Sequence, residues 1–480
     1  MAASFLLYGA AMDGQLDFAD SARYVMVARS LAQGTGYIGQ GGFEDRTENQ
    51  IPFAYPFMLA PLVLAFGPNA FAAFELLSVV SMVLALPCIF LALKKWMPES
   101  EAASVVLACA FLVQYQKYAT SILTEAPYIA VSFLCLAAIH ELGQEKPSLW
   151  HYVLFALTLG VSFHLRVIAV LLLAVAVIFV LLQRRYRRAV GLILLGVFAC
   201  MPWVIWTLTK GMGYAPEFVE RTAGPLALVR RFLYNAAAYA TKIPPDDFLY
   251  PAFEKYLPYE PMFFLKAAVG LGLTVVCLRG FWLRWRHSTD LVSALRDVSV
   301  AETYLVLYAA ISCAWTVHGD RYPLPVMPVL IWAFLRGAGR LRPYASGMIM
   351  AVGLAGCVFT IYKVRTGQEP VEARAYRESV QWLKANASPS ETVSSRYPGF
   401  VTASTGQRGT RFEETHDPEI QRKALRDQGI RWLIVDHQKL TRESAVELLQ
   451  PLLEKYPADF ELKYRSLVDP ATRVYRVVER

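Results

Sequence analysis

The chain has 480 residues, 55% of them hydrophobic, a mean hydropathy of +0.35 and a formal net charge of +8. Its apolar residues run in unbroken blocks, not in stripes separated by polar faces, which excludes an ordinary soluble globular chain. Lys and Arg gather in short connections between the blocks, so the positive charge reads as membrane topology and not as a nucleic-acid surface.

About 20 apolar residues cross a bilayer, and in hydrocarbon a helix satisfies its own backbone. Spans are predicted at Ala2–Met12, Asn69–Lys94, Glu101–Tyr118, Ala126–Leu142, Leu149–Arg166 and Val167–Gln183. Five more follow at Ala189–Thr209, Met262–Leu283, Thr303–Val317, Tyr322–Leu335 and Tyr344–Tyr362. The expected architecture is a polytopic α-helical membrane protein with about eleven crossings. Ala2–Met12 is too short to span unaided, so it is either continued upstream or half inserted. It lacks a basic flank and a small-residue cleavage site, and does not read as a signal peptide.

Basic residues mark one side of the membrane as cytoplasmic: Lys94-Lys95, Arg184 to Arg188, Arg284-Trp285-Arg286 and Arg336 to Arg342. The long connections Asp13–Gly67 and Lys210–Pro261 fall on the outer side with everything after Arg365. Two domains are expected, a membrane domain over 1–365 carrying the outer loop 13–67, and a small extracytoplasmic α/β domain over 366–480. In the latter, Arg374–Ala387, Pro418–Gln428 and Arg442–Lys455 read as helices. Thr392–Arg396 and Arg431–Asp436 read as strands, Phe460–Ser466 with Arg473–Val478 as a closing hairpin, and Gly406 to Gly409 as a turn.

Cys88, Cys109, Cys135, Cys200, Cys277, Cys313 and Cys357 all fall in or beside apolar spans, where they act as small hydrophobes. No CxxC or Cys/His spacing suggests a metal site, and no disulfide is expected in the outer segments.

Ionisable groups at membrane depth are costly, so each marks a functional candidate. Four places qualify. The run Phe18–Gln33 has helical spacing and puts Asp20 and Tyr24 on one face; alternatively Asp17 caps that helix and Asp20 complements its dipole. Glu125 lies in the short outer turn Ser121 to Pro127, where Thr124 as cap is the competing account. His318-Gly319-Asp320-Arg321 offers a phosphate partner, or an Asp320–Arg321 structural pair. Arg166 sits between two apolar runs as a phosphate partner or a snorkelling side chain. The Lys210–Pro261 connection is basic and aromatic (Arg221, Arg230, Arg231, Tyr234, Tyr239), which suits a glycan or lipid headgroup as well as a solvated loop.

The order of these elements resembles the GT-C superfamily of membrane glycosyltransferases, in the branch related to protein O-mannosyltransferases and the lipid A aminoarabinose transferase. Asp20-Ser21-Ala22-Arg23-Tyr24 is similar to the family's D-E-x-R-Y element, with Ser21 in place of the second acid. Ala54-Tyr55-Pro56-Phe57 and Phe66-Gly67-Pro68-Asn69 resemble the stretch that closes the first outer loop. Leu123-Thr124-Glu125-Ala126-Pro127 resembles the second acidic motif, Pro202-Trp203 the end of a later span, and Arg321-Tyr322-Pro323-Leu324-Pro325 the late R-Y-x-x-P signature.

The resemblance implies transfer of one sugar, with inversion, from a polyprenyl-monophosphate donor to an extracytoplasmic lipid, glycan or protein acceptor. Chain size and the absence of eukaryotic sorting signals point to a bacterial inner membrane. The resemblance also implies Asp20 as base and Glu125 as its support or the acceptor's. Arg321, His318 and Arg166 become phosphate partners, and Tyr24, Arg23 and Tyr55 substrate contacts. No cofactor, metal or nucleic acid is expected. The absent second acid speaks against a two-carboxylate mechanism. A transporter or flippase is the alternative from another class, although no repeated halves are evident. An inactive scaffold that binds lipid-linked sugar is a third reading.

Overall fold

The computed structural model describes residues 1–16, 20–39, 46–48, 50–211, 224–241, 259–286, 299–315, 319, 321–368, 370–438 and 444–478. In chain order its first part holds α1 (Ala2–Ala10), α2 (Asp20–Ala32), a small antiparallel ribbon β1 (Ile38–Gly39) and β2 (Arg46–Thr47), α3 (Ala54–Phe66) and α4 (Phe71–Leu93). Next come α5 (Glu99–Ala110), α6 (Val113–Thr120), α7 (Glu125–Leu142), α8 (Leu149–Leu165), α9 (Val170–Leu182) and α10 (Tyr186–Lys210). Then follow α11 (Pro225–Thr241), α12 (Tyr259–Trp285), α13 (Val300–Ala314), α14 (Met327–Ala338) and α15 (Arg342–Arg365). The remainder is α16 (Val371–Asn386), β3 (Thr392–Ser394), α17 (Pro398–Thr405), β4 (Arg408–Thr410), α18 (Pro418–Asp427), β5 (Ile430–Val435), α19 (Ala445–Lys455), β6 (Phe460–Arg465) and β7 (Arg473–Val477).

The chain divides into two compact units. One comprises 1–12, 49–55 and 75–362; the other comprises 13–48, 56–74 and 363–480, so two segments of the first connection group with the tail.

The first unit is helical. Among the described residues five helical segments are long and apolar enough to cross a membrane: Phe71–Leu93, Glu125–Leu142, Tyr186–Lys210, Ala267–Trp285 and Leu324–Arg365. Ala54–Phe66, Leu149–Leu165, Val167–Leu182 and Val300–Ala314 are shorter apolar helices. A helix lies at each of the predicted spans, with one difference. The stretch Glu101–Tyr118 is not one helix but two, α5 and α6, broken at Phe111-Leu112. A break in hydrocarbon exposes carbonyls that must find donors. Tyr8 on α1 supplies one, its hydroxyl donating to Ala110 O at 2.8 Å, and Gln116 Nε2 donates back to Leu7 O at 3.2 Å. The short first helix thus packs into the break. All seven cysteines are free thiols on these helices.

Besides α2, two helices lie in connections that the hydropathy pattern leaves open, α3 in the first and α11 in the second. α3 has only 13 residues, below crossing length, which is why it escapes a hydropathy reading.

The second unit contains a five-stranded sheet in the order β4-β3-β5-β7-β6. β3 pairs in parallel with β4 and β5, while β7 is antiparallel to β5 and to β6. Alternation along β5 directs Leu433 and Val435 to one face, into a core with Leu425 of α18 and Leu448, Leu449 and Leu452 of α19. Trp432 points to the other face and meets Trp382 of α16 edge-on at 5.8 Å. Asp417 caps α18 by accepting from Glu419 N at 2.9 Å, and Ser444 with Glu447 forms a capping box on α19. Where a turn alone was predicted, Gly406 ends α17 at φ +79° and the next residues enter β4. A three-residue strand with Gly409 at its centre carries too little β-forming sequence to be read in advance.

Candidate functional site

Glu125 is the first residue of α7 and is 1% exposed. Thr124 occupies the cap position without making a side-chain capping bond. The Glu125 carboxylate turns to arginine instead. Arg166, at the end of α8, donates through Nη1 to Glu125 Oε1 at 2.5 Å, and Arg321 Nε lies 4.0 Å from the same oxygen. Exposure rises along this set, from 1% at the Glu125 side chain to 14% at Arg166 and 31% at Arg321. Among the described residues the cluster sums to one net positive charge, with its most accessible guanidinium at Arg321. Oε2 of Glu125 is buried with no hydrogen-bond partner among the described residues.

Aromatic side chains floor the cluster. The Arg166 guanidinium lies 5.8 Å from the centre of the Tyr128 ring, and the Tyr128 hydroxyl meets that of Tyr304 at 3.3 Å. Tyr304 packs on Tyr308 with ring centres 5.4 Å apart. Tyr308 in turn lines an apolar cavity of about 380 Å³ between α11, α12, α13 and α14, as does Pro323, two residues from Arg321. Tyr239, Cys277, Phe281 and Leu330 complete much of its wall. The wall is nearly all hydrocarbon, which suits an acyl or isoprenoid chain.

The opposite end of α7 has a different character. Lys95 pairs with Glu141 at 2.6 Å, and Arg188 Nη1 donates to Leu142 O at 2.6 Å. Arg342 pairs with Glu101 at 2.8 Å. Glu125 and Glu141 are separated by about 24 Å along the helix axis. That spacing approaches the hydrocarbon thickness of a bilayer.

In the other unit Asp20 opens α2 and is half-buried, as is Tyr24 one turn on. Arg23 Nη2 lies 3.0 Å from both oxygens of Glu48, which is 7% exposed. This pair ties α2 to the chain just past β2. Burial and the Glu48 carboxylate push the neighbouring Tyr37 phenol well up. On the docked face of α2, Arg29 Nη1 donates to Ala403 O at 2.7 Å. Leu16, just before that helix, accepts from Arg377 Nη1 at 2.9 Å.

No family model matches the chain, nor does any curated protein match it in sequence. Solved structures do. ArnT from Cupriavidus metallidurans bound to undecaprenyl phosphate aligns with a TM-score of 0.59 at 12% identity, over 99% of this chain and 97% of its own. The same protein in the apo state gives 0.61 at 12% identity with the same coverage. The oligosaccharyltransferase of Archaeoglobus fulgidus tethered with an acceptor peptide gives 0.55 at 11% identity, over 100% of this chain and 73% of its own. The fold is that of the GT-C membrane glycosyltransferases.

On this GT-C frame the sequence candidates fall into two groups. Glu125, Arg166 and Arg321 meet in one unit; Asp20, Arg23 and Tyr24 share a helix in the other. Tyr55 is fully buried, its hydroxyl 2.9 Å from Ser78 Oγ, a packing position between α3 and α4. Trp203 of the Pro202-Trp203 motif packs edge-on against Phe53 at 5.0 Å. Asp17, Arg221, His318 and Asp320 lie outside the described residues. Sequence reasoning passed over Glu48, Glu75 and Arg29. Glu75, 1% exposed inside α4, carried a usable signal, a lone carboxylate within an apolar span. Glu48 and Arg29 carried none, because their partners are remote in sequence.

Proposed function

We propose that the chain is an inverting glycosyltransferase that moves a sugar from a polyprenyl-monophosphate carrier to an acceptor outside the cytoplasm. One observation carries the reading: a buried carboxylate holds two arginines with a surplus positive charge at the edge of an apolar cavity. A lipid phosphate presents the complementary chemistry, an anionic head on a hydrocarbon tail. The C. metallidurans ArnT structure contains undecaprenyl phosphate, and an A. fulgidus oligosaccharyltransferase structure contains dolichol-phosphate, which is in keeping with it.

In this reading the phosphate sits at Arg321 and Arg166, and the tail lies along the cavity wall at Tyr308, Pro323 and Leu330. Glu125 holds the two guanidiniums in register instead of touching the acceptor. Asp20 accepts the proton of the acceptor hydroxyl as its oxygen attacks the anomeric carbon from the face opposite the phosphate. The bond from that carbon to the phosphate oxygen breaks, and the electron pair leaves with the phosphate as polyprenyl phosphate. General-base help is worth about 10²–10⁴-fold, and a fixed cation at a departing anion acts through the same electrostatics as an oxyanion hole. Tyr24, on the face of α2 shared with Asp20, contacts the sugar, while Arg23 orients α2 through Glu48.

We also propose about eleven crossings and a bacterial inner-membrane location. The basic end of α7 faces the cytoplasm, and Glu125 with residues 366–480 lies outside it. The test is transfer from purified polyprenyl-phosphate sugars in the presence of excess chelator. Transfer by wild type that falls at least about 10²-fold in Arg321→Ala supports the reading. Unimpaired transfer by that variant contradicts it.

A further inference from the structure

We infer that Arg29 is a positioning residue that fixes the angle of the helix bearing Asp20 by clamping that helix to the tail and to the turn before α4. The inference rests on the reading of Asp20 as base.

Three segments remote in sequence meet at this one guanidinium. Arg29 Nη1 donates to Ala403 O at 2.7 Å, Nε to Pro68 O at 2.9 Å, and Nη2 to Asn69 Oδ1 at 2.9 Å. Each acceptor suits a cation. Ala403 lies in the last turn of α17, where carbonyls have no helical partner and the dipole favours positive charge. Pro68 and Asn69 form the turn between α3 and α4. A planar fork with fixed N–H directions can bind all three acceptors together; a lysine ammonium on a flexible stem lacks that geometry.

Helical geometry connects this clamp to Asp20. At about 100° per residue, Arg29 lies about 180° around α2 from Asp20 and about 13 Å along its axis. Ala22 and Met26, both buried, lie on the same docked side as Arg29, and Tyr24 lies near Asp20. Gly399 sits beneath the docked side; a Cβ there would be 3.3 Å from Met26 Cε and 3.6 Å from Ala22 Cβ. The docked side therefore sets which way Asp20 faces, and the tail carries the base as part of its own body. A base displaced by about 1 Å can lose about 10²-fold in rate.

The experiment compares wild type, Arg29→Gln, Arg29→Lys and Asp20→Asn in the polyprenyl-phosphate sugar assay, with amide hydrogen exchange on the same preparations. Arg29→Gln is expected to lower kcat about 10²-fold while the donor KM stays within about twofold, with Arg29→Lys intermediate. Exchange should accelerate in residues 20–32 and stay unchanged in Ile430–Val435. The acid limb of the pH–rate profile should not move, because Arg29 is too far from Asp20 to set its charge. Wild-type kcat in Arg29→Gln overturns the inference, as does faster exchange throughout the tail or a shifted acid limb. If Arg29→Gln does not fold, Gly399→Val decides: it wedges the docked side while leaving the Arg29 donors in place, and unchanged kcat overturns the inference. Activity retained by Asp20→Asn overturns the reading of the base itself, a separate outcome.

Discussion

A carboxylate that is 1% exposed among apolar helices requires a cation, and Glu125 has two. Removing the carboxylate takes from the largely buried Arg166 its short ion-pair contact, and breaking a buried pair costs about 3–5 kcal/mol. Glu125→Gln is therefore expected to lower the melting temperature in detergent and weaken donor binding together. A variant with unchanged melting and binding would show that the ion pair is dispensable. Asp436 poses the opposite case, at the end of β5. Burial pushes its carboxyl from 3.8 up to about 6, against the Gln438 N–H, Arg396 and His437, which favour the charge, while Asp469 disfavours it. Tyr376 and Tyr397 also face it. The folded state thus holds this proton more tightly than the unfolded chain. Its contribution to stability is present below pH 4 and is lost as pH rises through 6. Asp436→Asn should stabilise the tail at pH 7.5 by roughly 2–3 kcal/mol, with the gain vanishing below about pH 4. Amide exchange of Ile430–Val435 as a function of pH measures this, and a gain that persists at low pH contradicts it.

At the scale of elements, α12 and α14 approach as closely as backbones allow. A Cβ on Gly280 would sit 1.9 Å from Ala333 O, and one on Gly337 would sit 1.9 Å from Val276 O. Small residues at mutual contact points let membrane helices pack when no hydrophobic force drives them together. Gly280→Ala or Gly337→Ala should each separate these helices, widen the cavity they line and lower thermal stability in detergent. Melting unchanged in both would refute the contact. This pairing was invisible in the sequence, since neither glycine belongs to a recognisable motif. What hydropathy revealed was each apolar block separately, because a crossing is a local property of about 20 residues. It missed the break at Phe111-Leu112, where the freed Ala110 carbonyl is satisfied by Tyr8, about a hundred residues earlier. Glu125, Arg166 and Arg321 were each legible as charges at membrane depth, but their meeting depends on how α7 and α8 pack with the segment before α14. The split of the candidates between two units was also hidden, since α2 docks through Arg29 onto a carbonyl 374 residues away.

At the scale of the whole molecule, the proposed topology puts the tail outside the cytoplasm and the basic stretch 336–342 inside it. Leu467 in the tail is 95% exposed and Leu341 at the basic end is 66% exposed. In a background with the native cysteines replaced, Leu467→Cys should react with a membrane-impermeant thiol reagent on intact cells, and Leu341→Cys only after lysis. The reverse pattern would invert the topology and place the proposed acceptor on the cytoplasmic side. The central claim is that the chain transfers a sugar from a lipid phosphate with Asp20 as base. Its most direct test uses a panel of radiolabelled polyprenyl-phosphate sugars with purified wild type and Asp20→Asn in detergent, a membrane extract serving as acceptor. The account predicts transfer from one donor by wild type, and loss of about 10²–10⁴-fold in the variant with donor binding and fold intact. Transfer at the wild-type rate by Asp20→Asn would contradict it.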